Sequence, residues 1–114
     1  MKVTKRPAES IRKEEAHGGS GARKVLATSE HMSGENLEAI THGFLPAGGV
    51  FDWHDHEGID EIMIVLKGDG VVSDEDGEYS YDSGDVFILP ANTQHRIENT
   101  STYENEMIFA RVRA

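Results

Sequence analysis

Short segments rich in Val, Ile, Leu, Phe and Tyr recur along the chain from residue 24 onward, each interrupted within a few residues by glycine and acidic positions. They fall at 24–28, 37–45, 50–54, 61–67, 70–73, 78–81, 85–89, 95–99 and 106–112. Segments this short suit strands rather than helices, and their β-branched and aromatic content agrees. Between them stand Pro46-Ala47-Gly48-Gly49, Lys67-Gly68-Asp69-Gly70, Asp74-Glu75-Asp76-Gly77 and Asp82-Ser83-Gly84-Asp85. Glycine supplies positive φ and aspartate bonds back to its own main chain, so each run reads as a tight turn. Asp76-Gly77 between two strand segments is a hairpin signal. Many short strands with regular turns predict an all-β antiparallel sandwich or barrel. Ahead of it, Pro7 and the run Gly18-Gly19-Ser20-Gly21 make residues 1–21 an arm and flexible joint, with a helix around 8–16, and the barrel domain is expected at 22–114.

Successive side chains on a strand leave opposite faces. In phase with Glu61, Met63 and Val65 are expected to point inward, as are either Phe87 and Leu89 or Val86 and Ile88, while Met107, Phe109 and Arg111 share one face. Trp53, Ile62, Ile64 and Leu66 fall outside, and so much outward apolar surface predicts a cover, a second sheet or another subunit. The same alternation groups His42 with Ile40 and Phe44 and makes it a candidate to line the barrel. His17, in the arm, and His31, in a polar loop, read as surface residues.

Length and composition narrow the function classes. At 114 residues, one domain with one core is expected. With 37% hydrophobic residues, a mean hydropathy of −0.51 and no apolar run of bilayer length, neither a transmembrane helix nor a signal peptide is expected, and the cytoplasm is the expected compartment. The absence of cysteine removes disulfides and thiolate chemistry. A net charge of −10, from 21 acidic and 11 basic residues, disfavours nucleic acid and anionic membranes as partners.

Chemistry concentrates in the run from Trp53 to Glu61, which holds His54, His56 and several carboxylates, and in the later His95. On a strand His54 and His56 would leave the same face, close enough to share one cation. Imidazole and carboxylate suit a divalent first-row metal, and the lack of thiolate argues against a closed structural zinc site. Asp52 also shares the face of His54 and is a candidate general base or a partner that orients a ligand. Arg111, if inward, is the cation placed to hold a substrate carboxylate.

From Gly48 the chain reads glycine, five residues, His54-x-His56, four residues, Glu61, six residues, Gly68; from Gly84 it reads glycine, five residues, Pro90-x-Asn92, two residues, His95, three residues, Asn99. These two stretches resemble the first and second motifs of the cupin superfamily, with Asn92 where the family usually has glycine. Asparagine tolerates the left-handed conformation best among the other residues, so the turn is expected to survive. The resemblance implies a jelly roll, or double-stranded β-helix, with one metal ion in the barrel mouth on His54, His56, Glu61 and His95. Up to two positions of an octahedral ion would stay open, and the ligand set favours iron, manganese, nickel, cobalt or zinc. It further implies a homodimer built through the outer sheet face and the N-terminal strand. The function so implied is an enzyme acting on a small oxygenated metabolite, a dioxygenase or a sugar or keto-acid isomerase or decarboxylase; the alternative is a non-catalytic barrel that binds or senses a small ligand.

Overall fold

The computed structural model describes residues 2–114. Ten strands follow in order: β1 (Lys13–Ala16), β2 (Gly21–Thr28), β3 (Leu37–Leu45), β4 (Val50–His54), β5 (Ile59–Lys67), β6 (Gly70–Asp74), β7 (Gly77–Tyr81), β8 (Val86–Leu89), β9 (His95–Asn99) and β10 (Asn105–Arg113). They form a six-stranded sheet, β1-β2-β3-β10-β5-β8, and a four-stranded sheet, β4-β9-β6-β7, with every pairing antiparallel. Two antiparallel sheets face to face are the jelly roll that the sequence predicts. Among the described residues no helix is long and apolar enough to cross a membrane.

The helix expected around 8–16 does not form. Only Ala8–Ser10 makes a single 3-10 turn, and Lys13–Ala16 pairs with Gly21–Lys24 as an edge strand. An isolated segment of that length forms a marginal helix, and β2 offers it a ladder of hydrogen bonds instead. The hairpin signal is right with a shift of one residue. Asp74 pairs with Gly77, so Glu75 and Asp76 occupy the turn, and the Asp74 carboxylate accepts the main-chain N–H groups of Asp76 (2.8 Å) and Gly77 (3.1 Å).

Inward residues of both sheets make the core. Leu45, Phe51, Met63, Val65, Val72, Tyr81, Leu89, Ile97, Met107 and Phe109 are buried and contiguous, each aliphatic side chain worth about 1.5–3 kcal/mol relative to exposure. On β8, Phe87 and Leu89 point inward while Val86 and Ile88 stay exposed. One end of the sandwich is closed by polar side chains. Asn99 donates to the carbonyls of Leu45, Pro46 and Tyr103, and Asn105 donates to the Asp69 carbonyl and the Tyr81 hydroxyl. Gly68, at φ +110°, presses on Asn105, and a Cβ there would fall 1.8 Å from the Asn105 Oδ1. The other end, where β5 and β10 pair Glu61 with Arg111 and β4 and β9 pair His54 with His95, is the open mouth.

Candidate metal centre

Three histidines reach the mouth from different local structures. His54 ends β4, His95 opens β9 directly opposite, and His56 lies beyond the end of β4 in the turn before β5. The proximity of His54 and His56 therefore comes from the turn rather than from a shared strand face. That turn is held by Asn92, which adopts φ +61° as its left-handed tolerance predicts. Its main-chain N–H donates to the His56 carbonyl (3.1 Å), and its side-chain oxygen accepts the Gly58 N–H (3.1 Å).

Each of the three rings offers one donor atom within 4.8 Å of the others, the span over which three imidazoles can hold one ion. His54 Nδ1 lies 2.6 Å from the Asp52 carbonyl and His95 Nδ1 lies 3.2 Å from the Thr93 carbonyl. A carbonyl only accepts, so in both rings Nδ1 carries the proton and a neutral ring has a bare Nε2. Those two Nε2 atoms stand 3.1 Å apart. Two lone pairs at that distance require a cation between or beside them. A shared proton would serve this one pair but would leave His56 converging on nothing, whereas a divalent ion serves all three rings. The donor set thus fits a transition metal, with the outer nitrogens of His54 and His95 anchored on main-chain carbonyls as metal-bound imidazoles ordinarily are.

Glu61 is buried on β5, with Oε1 3.7 Å from Nε2 of both His56 and His95. Burial raises its carboxyl from 4.5 to about 7; Arg111 opposes this and Glu38 adds to it. Burial likewise pushes His56 and His95 down to about 4, with Arg111 the next cause at His56 and His54 the next at His95. Both rings are therefore neutral near pH 7 and free to act as ligands without first losing a proton.

Arg111 faces inward. Its Nη2 is 3.4 Å from His56 Nδ1, too long a contact to fix that ring's tautomer, and its Nε sits 2.8 Å from Glu38 Oε2. Neither Arg111 Nε nor Glu38 Oε2 makes a hydrogen bond of acceptable geometry, so the pair is ionic without being directional. Beside these groups opens a cavity of about 260 Å³ lined by Glu61, His54, His56, Arg111, Thr41 and Phe51 among others. A water occupies roughly 30 Å³ of liquid, so the space suits a molecule of on the order of nine non-hydrogen atoms.

Asp52 enters this arrangement only through its main-chain carbonyl, which accepts from His54 Nδ1; its carboxylate does not. The β4–β9 register pairs Phe51 with Ile97 but His54 with His95, so β4 carries one extra residue between them. This bulge lets both Phe51 and His54 face inward and turns Asp52 to solvent, where its carboxylate accepts the Trp53 N–H and lies 3.5 Å from Arg96. His42 is also on the other side. The inward phase of β3 runs through Ala39, Thr41 and Gly43, so His42 faces outward, stacks on Phe44 and lies 2.9 Å from the Glu106 carboxylate. Conversely, reading the sequence missed Thr41, Arg23 and His17, all of which line the cavity. His17 stacks on Phe51 with ring centroids 4.5 Å apart and meets the edge of His54 at 4.6 Å. The signal for it was the glycine run that follows, which permits a sharp turn back over the barrel.

Fold and site together define a jelly-roll protein with a histidine-lined mouth suited to a metal ion and a small ligand. The chain belongs to the cupin family, whose Cupin domain model matches residues 42–110, more than half of it. It is 36% identical over 64 residues to the oxalate-binding protein of Thermotoga maritima, a match covering 56% of this chain and 53% of that protein. It is 25% identical over 99 residues to an uncharacterized protein of Methanocaldococcus jannaschii, covering 87% of this chain and 78% of the other. Among solved structures, a predicted oxalate decarboxylase from Thermotoga maritima superposes with a TM-score of 0.82 at 26% identity, covering 95% of this chain and 97% of that one.

Proposed function

We propose that this chain is a metal-dependent cupin enzyme that takes a small oxygenated carboxylate of oxalate size, with decarboxylation as its reaction. The observation that carries the reading is the facing pair of bare imidazole nitrogens, 3.1 Å apart, beside an inward guanidinium in a cavity of about 260 Å³. His54, His56, His95 and Glu61 would hold one divalent transition ion, iron, manganese, nickel, cobalt or zinc. Bound there, such an ion supplies Lewis acidity toward a chelating oxygen and, if it is redox-active, access to one-electron chemistry.

The protein's own groups do the rest. Arg111 lines the cavity, its Nε in an ion pair with Glu38, and its guanidinium can bind a carboxylate. Phe51, Ile97 and Phe109 exclude water from the inner wall and strengthen every charge interaction there. Glu61, whose carboxyl burial raises to about 7 in the metal-free chain, would give up its proton on taking its place beside the ion.

A second reading, a barrel that binds the acid without turning it over, is favoured by the likeness to a protein whose name is oxalate-binding. Protein purified without added metal is expected to carry about one ion per chain by elemental analysis, and His54→Ala or His95→Ala should lose it. Retention of the ion by both variants would overturn the ligand assignment. With the manganese form, release of formate and CO₂ from oxalate identifies the enzyme, and tight binding without release identifies the binding module.

The outer face supports a homodimer as part of the same proposal. Ile64, Leu66, Val86 and Ile88 form an exposed apolar patch across β5 and the edge strand β8. Sedimentation of wild type as a dimer and of Ile88→Glu as a monomer is the expected result; a monomeric wild type refutes it.

A further inference from the structure

The mouth of the cavity is partly made by a segment that the metal site does not need. β1 and β2 form a hairpin whose turn, residues 17–20, brings His17 over Phe51 and His54. His17 has φ +51°, the left-handed region, and it is one of only two non-glycine residues among those described that adopt it. Gly18 (φ +67°) and Gly19 (φ +94°) can take such angles freely, but a histidine is strained there, and strain of that kind persists where the surroundings over-determine a side chain's position. The surroundings do so here. The Ser20 hydroxyl donates to the His17 carbonyl at 2.8 Å, closing the turn. Gly21 is packed so tightly that a Cβ would lie 2.5 Å from the Phe51 ring and 2.7 Å from the Phe44 carbonyl, which pins the hairpin to the barrel. The imidazole so held lines the same cavity as Arg111 and meets Phe51 and His54 through ring contacts, which do not engage its nitrogens in a hydrogen bond.

We propose that His17 is a ligand-contacting, specificity-determining residue that binds the second polar group of a bifunctional acid whose first carboxylate is held at Arg111. This rests on the reading of the cavity as a small-carboxylate site. The class of ligand it selects is a dicarboxylate or hydroxy acid, such as oxalate or glycolate, over a simple monocarboxylate such as acetate. A neutral imidazole offers one donor and one acceptor, matching a carboxylate oxygen, a hydroxyl or a protonated carboxyl.

The experiment uses the manganese-loaded full chain and titrates oxalate, glycolate and acetate by calorimetry into wild type, His17→Asn and His17→Gln. Asparagine keeps tolerance of positive φ and glutamine keeps reach, so at least one variant retains the turn; metal content and thermal melting confirm folding. Oxalate and glycolate affinity should fall about tenfold in His17→Asn, the loss of one ligand hydrogen bond, while acetate affinity and manganese content stay as in wild type. Equal losses for all three ligands, or none, overturn the proposal, since a merely structural role cannot distinguish one carboxylate from two polar groups. Wild type that binds none of the three overturns the small-carboxylate reading itself and this inference with it; wild type that binds them all, with variants unchanged, overturns only the role of His17.

Discussion

Glu61 gives the sharpest quantitative test of the metal centre. Its carboxyl is raised from 4.5 to about 7 mainly by burial, which corresponds to about 3 kcal/mol against the charged form. At pH 6 about 0.9 of the molecules should carry the proton and at pH 8 about 0.1, so ligation of a divalent ion by the carboxylate releases about 0.9 proton at pH 6 and about 0.1 at pH 8. Calorimetric titration of Mn²⁺ into metal-free protein, repeated in buffers of different ionisation enthalpy, reads that number directly. Glu61→Gln cannot release it, so the difference between wild type and variant isolates Glu61 from the three histidines. That difference should be about 0.8 proton larger at pH 6 than at pH 8. A difference that does not change with pH refutes either the raised carboxyl or its place among the ligands. Stability of the metal-free protein gives an independent check. Between pH 4.5 and 7 the native state binds the proton that the unfolded chain has lost, so this group's contribution falls as pH rises through the window. Glu61→Gln should consequently gain on wild type above pH 7, by up to about 3 kcal/mol, and lose that advantage near pH 4.5.

Other consequences are open to measurement. His17, His56 and His95 are each lowered to about 4, so between pH 6.5 and 4 the unfolded chain binds more protons and the metal-free protein loses stability as pH falls; with Glu61 opposing, urea melts should show a net uptake on unfolding of about 2 protons near pH 5.5, and a flat profile refutes the neutral rings. Arg111→Lys keeps a charge beside Glu38 but loses the planar fork, and oxalate affinity should fall about 10- to 100-fold with metal content unchanged; unaltered oxalate binding removes Arg111 from the ligand site. Asn92→Ala keeps a Cβ at φ +61° but loses asparagine's tolerance of that region and the side-chain oxygen that holds Gly58, and should cost about 2–3 kcal/mol in chemical denaturation. Asn92→Gly restores the backbone freedom and should cost about 1 kcal/mol, so equal losses in the two variants contradict the left-handed assignment.

Where the chain keeps the strict period of two, its sequence is enough to place side chains: Glu61, Met63 and Val65 on β5 and Met107, Phe109 and Arg111 on β10 all point where alternation sends them. The histidines and Glu61 of the candidate metal centre were legible for a different reason, because the spacing from Gly48 to Asn99 encodes turns as well as strands, and Asn92 takes the positive φ that the spacing demands. Legibility ends at two backbone events that alternation cannot represent. One extra residue between Phe51 and His54 reverses the face of everything before it on β4, which is why the Asp52 carboxylate lies by Arg96 outside and only its main-chain carbonyl supports His54. The run of positive φ angles at residues 17–19 folds the expected arm back over the mouth, which turns a histidine with no sequence companions into a wall of the cavity. His42 shows a third limit, since its period was right and its phase was not: periodicity groups His42 with Ile40 and Phe44 but is silent on which face is inward, and only Thr41 and Gly43 packed against Phe109 and the cavity decide it. A bulge, a left-handed turn and a phase each shift a side chain by one face, a displacement small in sequence and decisive in chemistry. Of the three shifted residues only His17 lines the cavity, whereas Arg111 and the residues that fit a metal ion lie where alternation and the motif spacing hold.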